Sequence, residues 1–312
     1  MQLINDINKI QIPFENAVIT IGNFDGVHKG HQALLREVKE KAKAIGGVSI
    51  AMTFEPHPLM VLKKGNHPPL ITLYEQKVEL LTKQGLDVLI AIPFTLEFAS
   101  ITAHEFVHDL LVEKIGMRAI VVGEDYSFGK NREGNVAFLK SRAKDYGFEV
   151  IVVGWRQISD SHGQRISSTL IREVVQEGRI EEVRDLLGRN YQIRGKVVTG
   201  RKRGGKLLGF PTANIHLTEE LCPKMGVYAV TVELNGEKHK GVANIGYSPT
   251  FDDHIFTIEV HLLDFNAEIY GRNIKVNFIR RLRDEKKFSG IPELSEQIQK
   301  DVASAREILS AI

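Results

Sequence analysis

Between residues 17 and 186 one pattern recurs: a short run that is apolar throughout, then a longer stretch with apolar residues three and four apart. The runs 17–22, 48–53, 88–92, 119–122 and 150–153 read as buried strands, and the stretches 33–45, 74–84, 103–115 and 136–146 between them read as helices. Strand and helix in strict alternation imply a parallel sheet covered on both faces. Ligands in such sheets sit beyond the carboxyl ends of the strands, so the loops there are where chemistry is expected.

The rhythm changes after about Leu187. Segments 191–198, 227–234, 239–246, 256–263 and 274–279 read as strands separated by turns too short for crossover helices. Asn235-Gly236 between two of them is a strong hairpin signal. Closely spaced antiparallel strands predict a small barrel. One helix closes the chain from about Pro292, its apolar face at Leu294, Ile298, Ala305 and Ile308/Leu309. The 312 residues are about twice a usual domain, and the expected division is 1–186 and 187–312.

Composition excludes several classes. Hydrophobic residues make up 43% and charged residues 26%, an ordinary globular balance, and the 27 glycines follow no period. The longest apolar run, 88–94, already contains Pro93 and is far short of a membrane span. With Asp6 and Lys9 and no long apolar core, the N-terminus does not read as a signal peptide. Cys222 has no second cysteine to pair with, so a reducing compartment, the cytoplasm, is expected. Net charge is +2, divided as −2 up to residue 186 and +4 beyond it. That is too little for a dedicated nucleic-acid binder. The local excess at Arg201, Lys202, Arg203 and Lys206 suits a phosphorylated small molecule better.

The most informative string is Gly22-Asn23-Phe24-Asp25-Gly26-Val27-His28-Lys29-Gly30-His31, which leaves the first strand and opens the first helix. Its glycines let the backbone turn tightly and approach a ligand closely. A helix N-terminus offers free N–H groups and partial positive charge to a phosphate. His28 and His31, three apart, can face one phosphate from the same side. Two other readings stand beside this one: a plain glycine-rich loop, or a zinc pair, for which no further Cys or His cluster supplies ligands.

The string resembles the signature of the nucleotidyltransferase superfamily, in which the two histidines bind ATP phosphates. Further strings follow later strands: Phe54-Glu55-Pro56-His57-Pro58, Val122-Gly123-Glu124-Asp125-Tyr126-Ser127-Phe128-Gly129, and Arg165-Ile166-Ser167-Ser168-Thr169-Leu170-Ile171-Arg172. The serines before an apolar run also fit a helix cap, while the flanking arginines are fork-shaped phosphate donors. Together these resemble the adenylyltransferase half of the bacterial bifunctional riboflavin kinase/FAD synthetase family. Gly209-Phe210-Pro211-Thr212-Ala213-Asn214, Gly241-Val242-Ala243-Asn244-Ile245-Gly246, Pro249-Thr250-Phe251, Glu259-Val260-His261-Leu262-Leu263-Asp264-Phe265, Tyr270-Gly271 and residues 281–288 resemble its kinase half, in the same order. The resemblance spans about residues 10 to 305.

It implies a Rossmann-like nucleotidyltransferase domain followed by a riboflavin kinase barrel, with Mg²⁺, ATP, riboflavin and FMN as cofactor and substrates. Implied for ATP in the first domain are Gly22, Asn23, Phe24, Asp25, His28, His31, Asp125, Arg165, Ser168 and Thr169, with His28, His31 and Arg165 acting in catalysis. A purely structural Asp25, in an Asx-type turn, is an equal alternative. Phe54, Pro56 and His57 are candidates for the flavin pocket, or for a rigid Pro-flanked turn. In the second domain Gly200, Lys206, Thr212 and Asn214 are implied for ATP, Thr212 and Asn214 for Mg²⁺, and Glu259 as the base that takes the riboflavin hydroxyl proton. Cys222 and Trp155 read as packing.

Two departures from the family pattern appear. The flap, Gly204-Gly205-Lys206-Leu207-Leu208-Gly209, has one residue more than usual and a lysine in place of an arginine, and the span from Asn244 to Glu259 is short. The alternative to a bifunctional enzyme is therefore an FMN adenylyltransferase whose barrel binds flavin without phosphorylating it. A rival from another class is a non-catalytic flavin-sensing or nucleic-acid-binding protein using residues 201–206. No nucleic-acid, membrane or obligatory protein partner is expected.

Overall fold

The computed structural model describes residues 1–63, 67–154, 163–198, 210–217, 219–247 and 256–312. Their contacts form two compact units, Met1–Ser168 and Thr169–Ile312.

The first unit is the expected parallel sheet. Its elements run β1 (Gln2–Ile4), β2 (Ala17–Ile21), α1 (Lys29–Ala44), β3 (Ser49–Glu55), α2 (Pro58–Leu62), α3 (Tyr74–Thr82), β4 (Val88–Pro93), α4 (Ala103–Glu105) continuing as a π-helix (Phe106–Ile115), β5 (Met117–Gly123), the small pair β6 (Ser127–Phe128) and β7 (Gly134–Asn135), α5 (Val136–Tyr146) and β8 (Glu149–Val153). The sheet order is β1-β4-β3-β2-β5-β8, and every neighbouring pair is parallel. Side chains two apart share a face of a strand, and the core divides accordingly. Ile19, Ile50, Ile90 and Ile120 pack on one face with Phe106, Leu111 and Leu139. Val18, Ala51, Leu89 and Val121 pack on the other with Leu35, Val38 and Ala42 of α1. Burying each such aliphatic side chain stabilises by roughly 1.5–3 kcal/mol.

Two differences from the sequence reading matter for the site. Helix α1 begins at Lys29 rather than at 33, because His28 caps it. An additional edge strand, β1, pairs with β4; only Ile4 of its three residues is buried, which is too little periodicity to read.

In the second unit, α6 (Ser168–Gln176, whose first residue belongs to the first unit) and α7 (Ile180–Leu187) precede a barrel of β9 (Tyr191–Val198), β10 (Ala213–Ile215), β11 (Gly226–Leu234), β12 (Glu237–Tyr247), β13 (Phe256–Leu262) and β14 (Asn273–Arg283). The barrel is closed and antiparallel in the order β10-β13-β12-β11-β14-β9. Asn235 and Gly236 carry φ of 51° and 88°, as the tight β11–β12 hairpin requires. Tyr191, Tyr228 and Phe278 fill the interior. Helix α8 (Ile291–Ser310) lays Ala305 and Leu309 against Ala229 and Ile279 on the outer wall. On that same face Asp301, buried, receives Arg283 in a bidentate pair at 2.7–3.0 Å. Helix α7 joins the barrel through Arg280, whose guanidinium donates twice to Glu181. Among the described residues no helix is long and apolar enough to cross a membrane.

Candidate functional site

Strand β2 ends in a backbone that turns against its own preferences. Phe24, Gly26 and Val27 have φ of 49°, 84° and 38°. A non-glycine residue held there costs on the order of 1–3 kcal/mol. Two features hold it. Phe24 and Val27 are buried in the core, and the buried Asp25 carboxylate accepts from the Ile71 N–H at 3.0 Å, the Thr72 N–H at 3.0 Å and the Thr72 hydroxyl at 3.3 Å. That hydroxyl in turn accepts from the Gly26 N–H at 3.0 Å. A side chain at position 26 would press on Ile71. Phe24 and Asp25 thus maintain the loop from within, and Asn23 is held by the Thr53 hydroxyl on its carbonyl at 3.3 Å.

The loop delivers two imidazoles to the start of α1. His28 Nδ1 accepts the His31 N–H at 3.2 Å, so the proton of the neutral ring sits on Nε2. The rings of His28 and His31 stack at 3.6 Å, with 17° between their planes. A Cβ on Gly30 would lie 3.0 Å from His28 Nδ1 and 3.4 Å from the Ile166 carbonyl, so glycine lets a distant segment approach. That segment is the serine–arginine motif. Ser168 donates its hydroxyl to the Asp25 carbonyl at 2.9 Å. Exposed Arg165 pairs with Asp125 at 2.6 Å, and Asp125 lies just beyond the end of β5. Thr169 is exposed in the first turn of α6. Gly22, His28, His31, Asp125, Arg165 and Ser168 therefore gather beyond the carboxyl ends of β2 and β5.

The Phe54 string makes a turn after β3, with the Glu55–Pro56 bond cis. His57 is nearly buried and caps α2, its Nδ1 accepting from the Leu59 N–H at 3.2 Å. Phe54 packs edge-on against Phe94 at 5.6 Å and near Phe98 at 5.8 Å. The aromatic run continues from Phe98 through Phe106 and Phe128 to Tyr126. Sequence reasoning missed this cluster, because its members are scattered over 75 residues. The available signal was position: Phe54 and Phe94 lie at or just past the carboxyl ends of β3 and β4.

In the barrel, register sets the arrangement. Glu259 on β13 stands opposite Asn214 on β10 and Asn244 on β12. Their neighbours Ala213, Ile215, Ala243, Ile258 and Val260 are buried and fill the barrel, so this polar row lies on the outer wall. Burial raises the Glu259 carboxyl above its ordinary range. Among the described residues no donor meets it. His261, on the same face, meets the Pro211 carbonyl through Nδ1 at 2.9 Å and stands edge-on to Phe210. A cavity of about 210 Å³ opens beside them, lined by Val197, Pro211, Thr212, Leu262, Phe265 and Tyr270. Gly200 and Lys206, with the rest of the flap, lie outside the described residues, as do Pro249-Thr250-Phe251 and Trp155.

The FAD synthetase family model matches residues 11–170, and the riboflavin kinase family model matches residues 187–309. The bifunctional riboflavin kinase/FMN adenylyltransferase of Escherichia coli K12 is 39% identical over 98% of this chain and 97% of its own. Those of Listeria monocytogenes and Haemophilus influenzae are 41% and 38% identical, covering 95% and 100% of this chain and 94% and 100% of their own. A solved structure described as a macrolide-efflux protein from Streptococcus pneumoniae superposes with a TM-score of 0.84 at 33% identity, covering 97% of this chain and 98% of its own.

Proposed function

Because the chain belongs to the bifunctional riboflavin kinase/FMN adenylyltransferase family, we propose that its two polar sites divide the two reactions, with FMN adenylylated in the first unit and riboflavin phosphorylated on the barrel wall. Both domains are present over the full length, so the bifunctional reading holds over an adenylyltransferase with an idle barrel. ATP, riboflavin and FMN are the substrates. Neither reaction calls for a nucleic-acid, membrane or protein partner. With its single cysteine a free thiol, the chain fits the cytoplasm.

One observation carries the assignment of the first site. The Ser168 hydroxyl on the Asp25 carbonyl closes residues 165–168 over the loop that leads to His28, the cap of α1, so phosphate donors from two distant segments converge on one helix N-terminus. Adenylyl transfer needs no protein nucleophile: an FMN phosphate oxygen attacks the α-phosphorus of ATP, and the bond to pyrophosphate breaks. Positioning and charge stabilisation are what the protein supplies. The His28 and His31 rings, Arg165 and Ser168 hold the triphosphate, while the Phe54–Phe94–Phe98 aromatics beside Pro56 accept the flavin ring.

Riboflavin phosphorylation requires a hydroxyl proton to leave as oxygen attacks the γ-phosphorus and ADP departs. Glu259 takes that proton. Its carboxyl, met by no donor among the described residues and raised by burial, suits a base. The cavity beside Thr212 receives the nucleotide. The Thr212 hydroxyl and the Asn214 amide oxygen are hard donors that fit Mg²⁺, an ion usually held by few protein ligands plus substrate phosphates. Bound there, it would neutralise phosphate charge.

Incubation with Mg-ATP and either riboflavin or FMN, with products separated by chromatography, tests the whole reading. FMN and FAD from the first mixture and FAD from the second are expected. FAD from FMN but no FMN from riboflavin would remove the kinase assignment.

In the free protein Arg165 is engaged by Asp125 and must exchange it for phosphate. Exposed ion pairs are worth about 0.2–1 kcal/mol, so Asp125→Asn should lower the ATP KM of adenylylation by up to about fivefold. A rise would mean that Asp125 aims the guanidinium instead. As to domains, we place the working division for the kinase at 168/169, ahead of α6 and α7, because α7 packs on the barrel through Glu181 and Arg280. Fragment 169–312 should give a cooperative melt by circular dichroism and retain kinase activity. If 187–312 melts identically, α7 is dispensable and the division at 186/187 stands.

A further inference from the structure

Lysine is rarely buried without a reason, and Lys77 on α3 is. Its side chain is 6% exposed, and its ammonium donates to the Phe54 carbonyl at 3.2 Å and meets the Glu55 carboxylate at 3.5 Å. Helix α3 also begins where the Ile71 and Thr72 amides grip Asp25, one turn before Lys77. Burial pulls the Lys77 pKa down, while the Glu55 and Asp25 carboxylates oppose that from the two loops. The Tyr74 ring lies 5.7 Å from the ammonium. The segment leading into this short helix is therefore fastened to the loop after β2, and the helix itself, through Lys77, to the turn after β3. A methionine would fill the same volume without the cost of desolvating a charge.

We propose that Lys77 is a positioning residue for adenylyl transfer, fixing the turn at 54–57 against the loop at 22–28 so that the two substrates meet in register. The proposal rests on the reading that ATP lies at that loop and FMN at that turn. Lys77 touches neither substrate; it sets the distance between the elements that do. Misplacement of about 1 Å in such a site can cost about a hundredfold in rate.

The test uses the full chain, whose own kinase reaction is the internal control. Lys77→Met should lower the kcat of FAD formation about a hundredfold and raise the FMN KM, with the ATP KM and riboflavin phosphorylation nearly unchanged. Lys77→Arg should recover most of the loss, since a buried cation again reaches the Phe54 carbonyl and Glu55. A folded Lys77→Met protein with unaltered kcat and FMN KM would overturn the proposal, as would Lys77→Arg performing no better than Lys77→Met. Should Lys77→Met unfold the first unit, Lys77→Gln, which keeps an N–H for the Phe54 carbonyl, takes its place. The same changes in kcat and FMN KM are then expected, and their absence again overturns the proposal. His28→Ala in parallel separates the positioning role from the site itself. If it loses FAD formation while Lys77→Met retains it, the proposal fails and the site reading survives. If both retain it, the site reading itself fails.

Discussion

His28→Ala should cut FAD formation from FMN by about 10²–10³, the usual consequence of removing one preorganised charge donor, while riboflavin phosphorylation continues. On the proposed assignment the two reactions use residues from separate compact units, and His28 lies in the first. The substitution also removes the cap of α1, worth about 0.5–2 kcal/mol, so a modest loss of thermal stability should accompany it. His31→Ala distinguishes the two effects, since it leaves His28 Nδ1 capping the amide at position 31 and removes only the second imidazole. Both variants should lose adenylylation, yet only the first should lose stability through the cap. If both activities fell together in folded protein, the assignment of one reaction to each unit would be wrong.

Glu259→Gln should have the mirror effect, with FMN production falling about 10²–10⁴ and FMN-to-FAD conversion intact. Glutamine keeps the shape but takes no proton. Burial raises the Glu259 carboxyl in the folded protein, so the ionised base is lost at a higher pH than for an ordinary glutamate near about 4.3. The acid limb of the kinase kcat/KM profile should therefore lie above that value. The stability sign is opposite to that of a salt-bridged carboxylate. A group whose folded pKa is raised destabilises the fold once pH exceeds its unfolded pKa, because the unfolded chain ionises more readily. Glu259→Gln should thus melt at least as high as the parent at neutral pH, with the difference vanishing in acid. An inactive variant that melts lower at neutral pH would indicate a structural carboxylate rather than a base.

Much of the fold was legible because β2 to β5 of the sheet are largely apolar on both faces, while barrel strands such as β10 alternate. Helical stretches between the earlier strands, and turns too short for crossover helices between the later ones, separated the parallel sheet from the barrel. The loop at 22–31 was legible for a similar reason, since its glycines and histidines are contiguous. What periodicity cannot carry is a partner far away in the chain. Asp25 is satisfied by amides 46 and 47 residues on, and nothing local marks Ile71 or Thr72 as its donors. The polar row Asn214–Glu259–Asn244 exists only through strand register, and the aromatic run from Phe54 to Tyr126 only through sheet order. On α8, Asp301 interrupts an apolar face because Arg283 waits opposite it, a pairing visible only once β14 and the helix are adjacent.

Barrel closure has a consequence for the order in which a growing chain acquires its parts. All six strands of the parallel sheet lie within the first 153 residues, and Ser168 reaches Asp25 soon after. Strand β14, residues 273–283, is hydrogen-bonded to both β9 and β11. Until it emerges, those two strands keep unpaired edges of the kind that recruit other chains. Synthesis from the N-terminus therefore finishes the first site well over a hundred residues before the second can close. A prematurely ended product carries a complete sheet joined to an open barrel, so the hazard of interrupted translation falls on the kinase half, while the half that makes FAD is already whole.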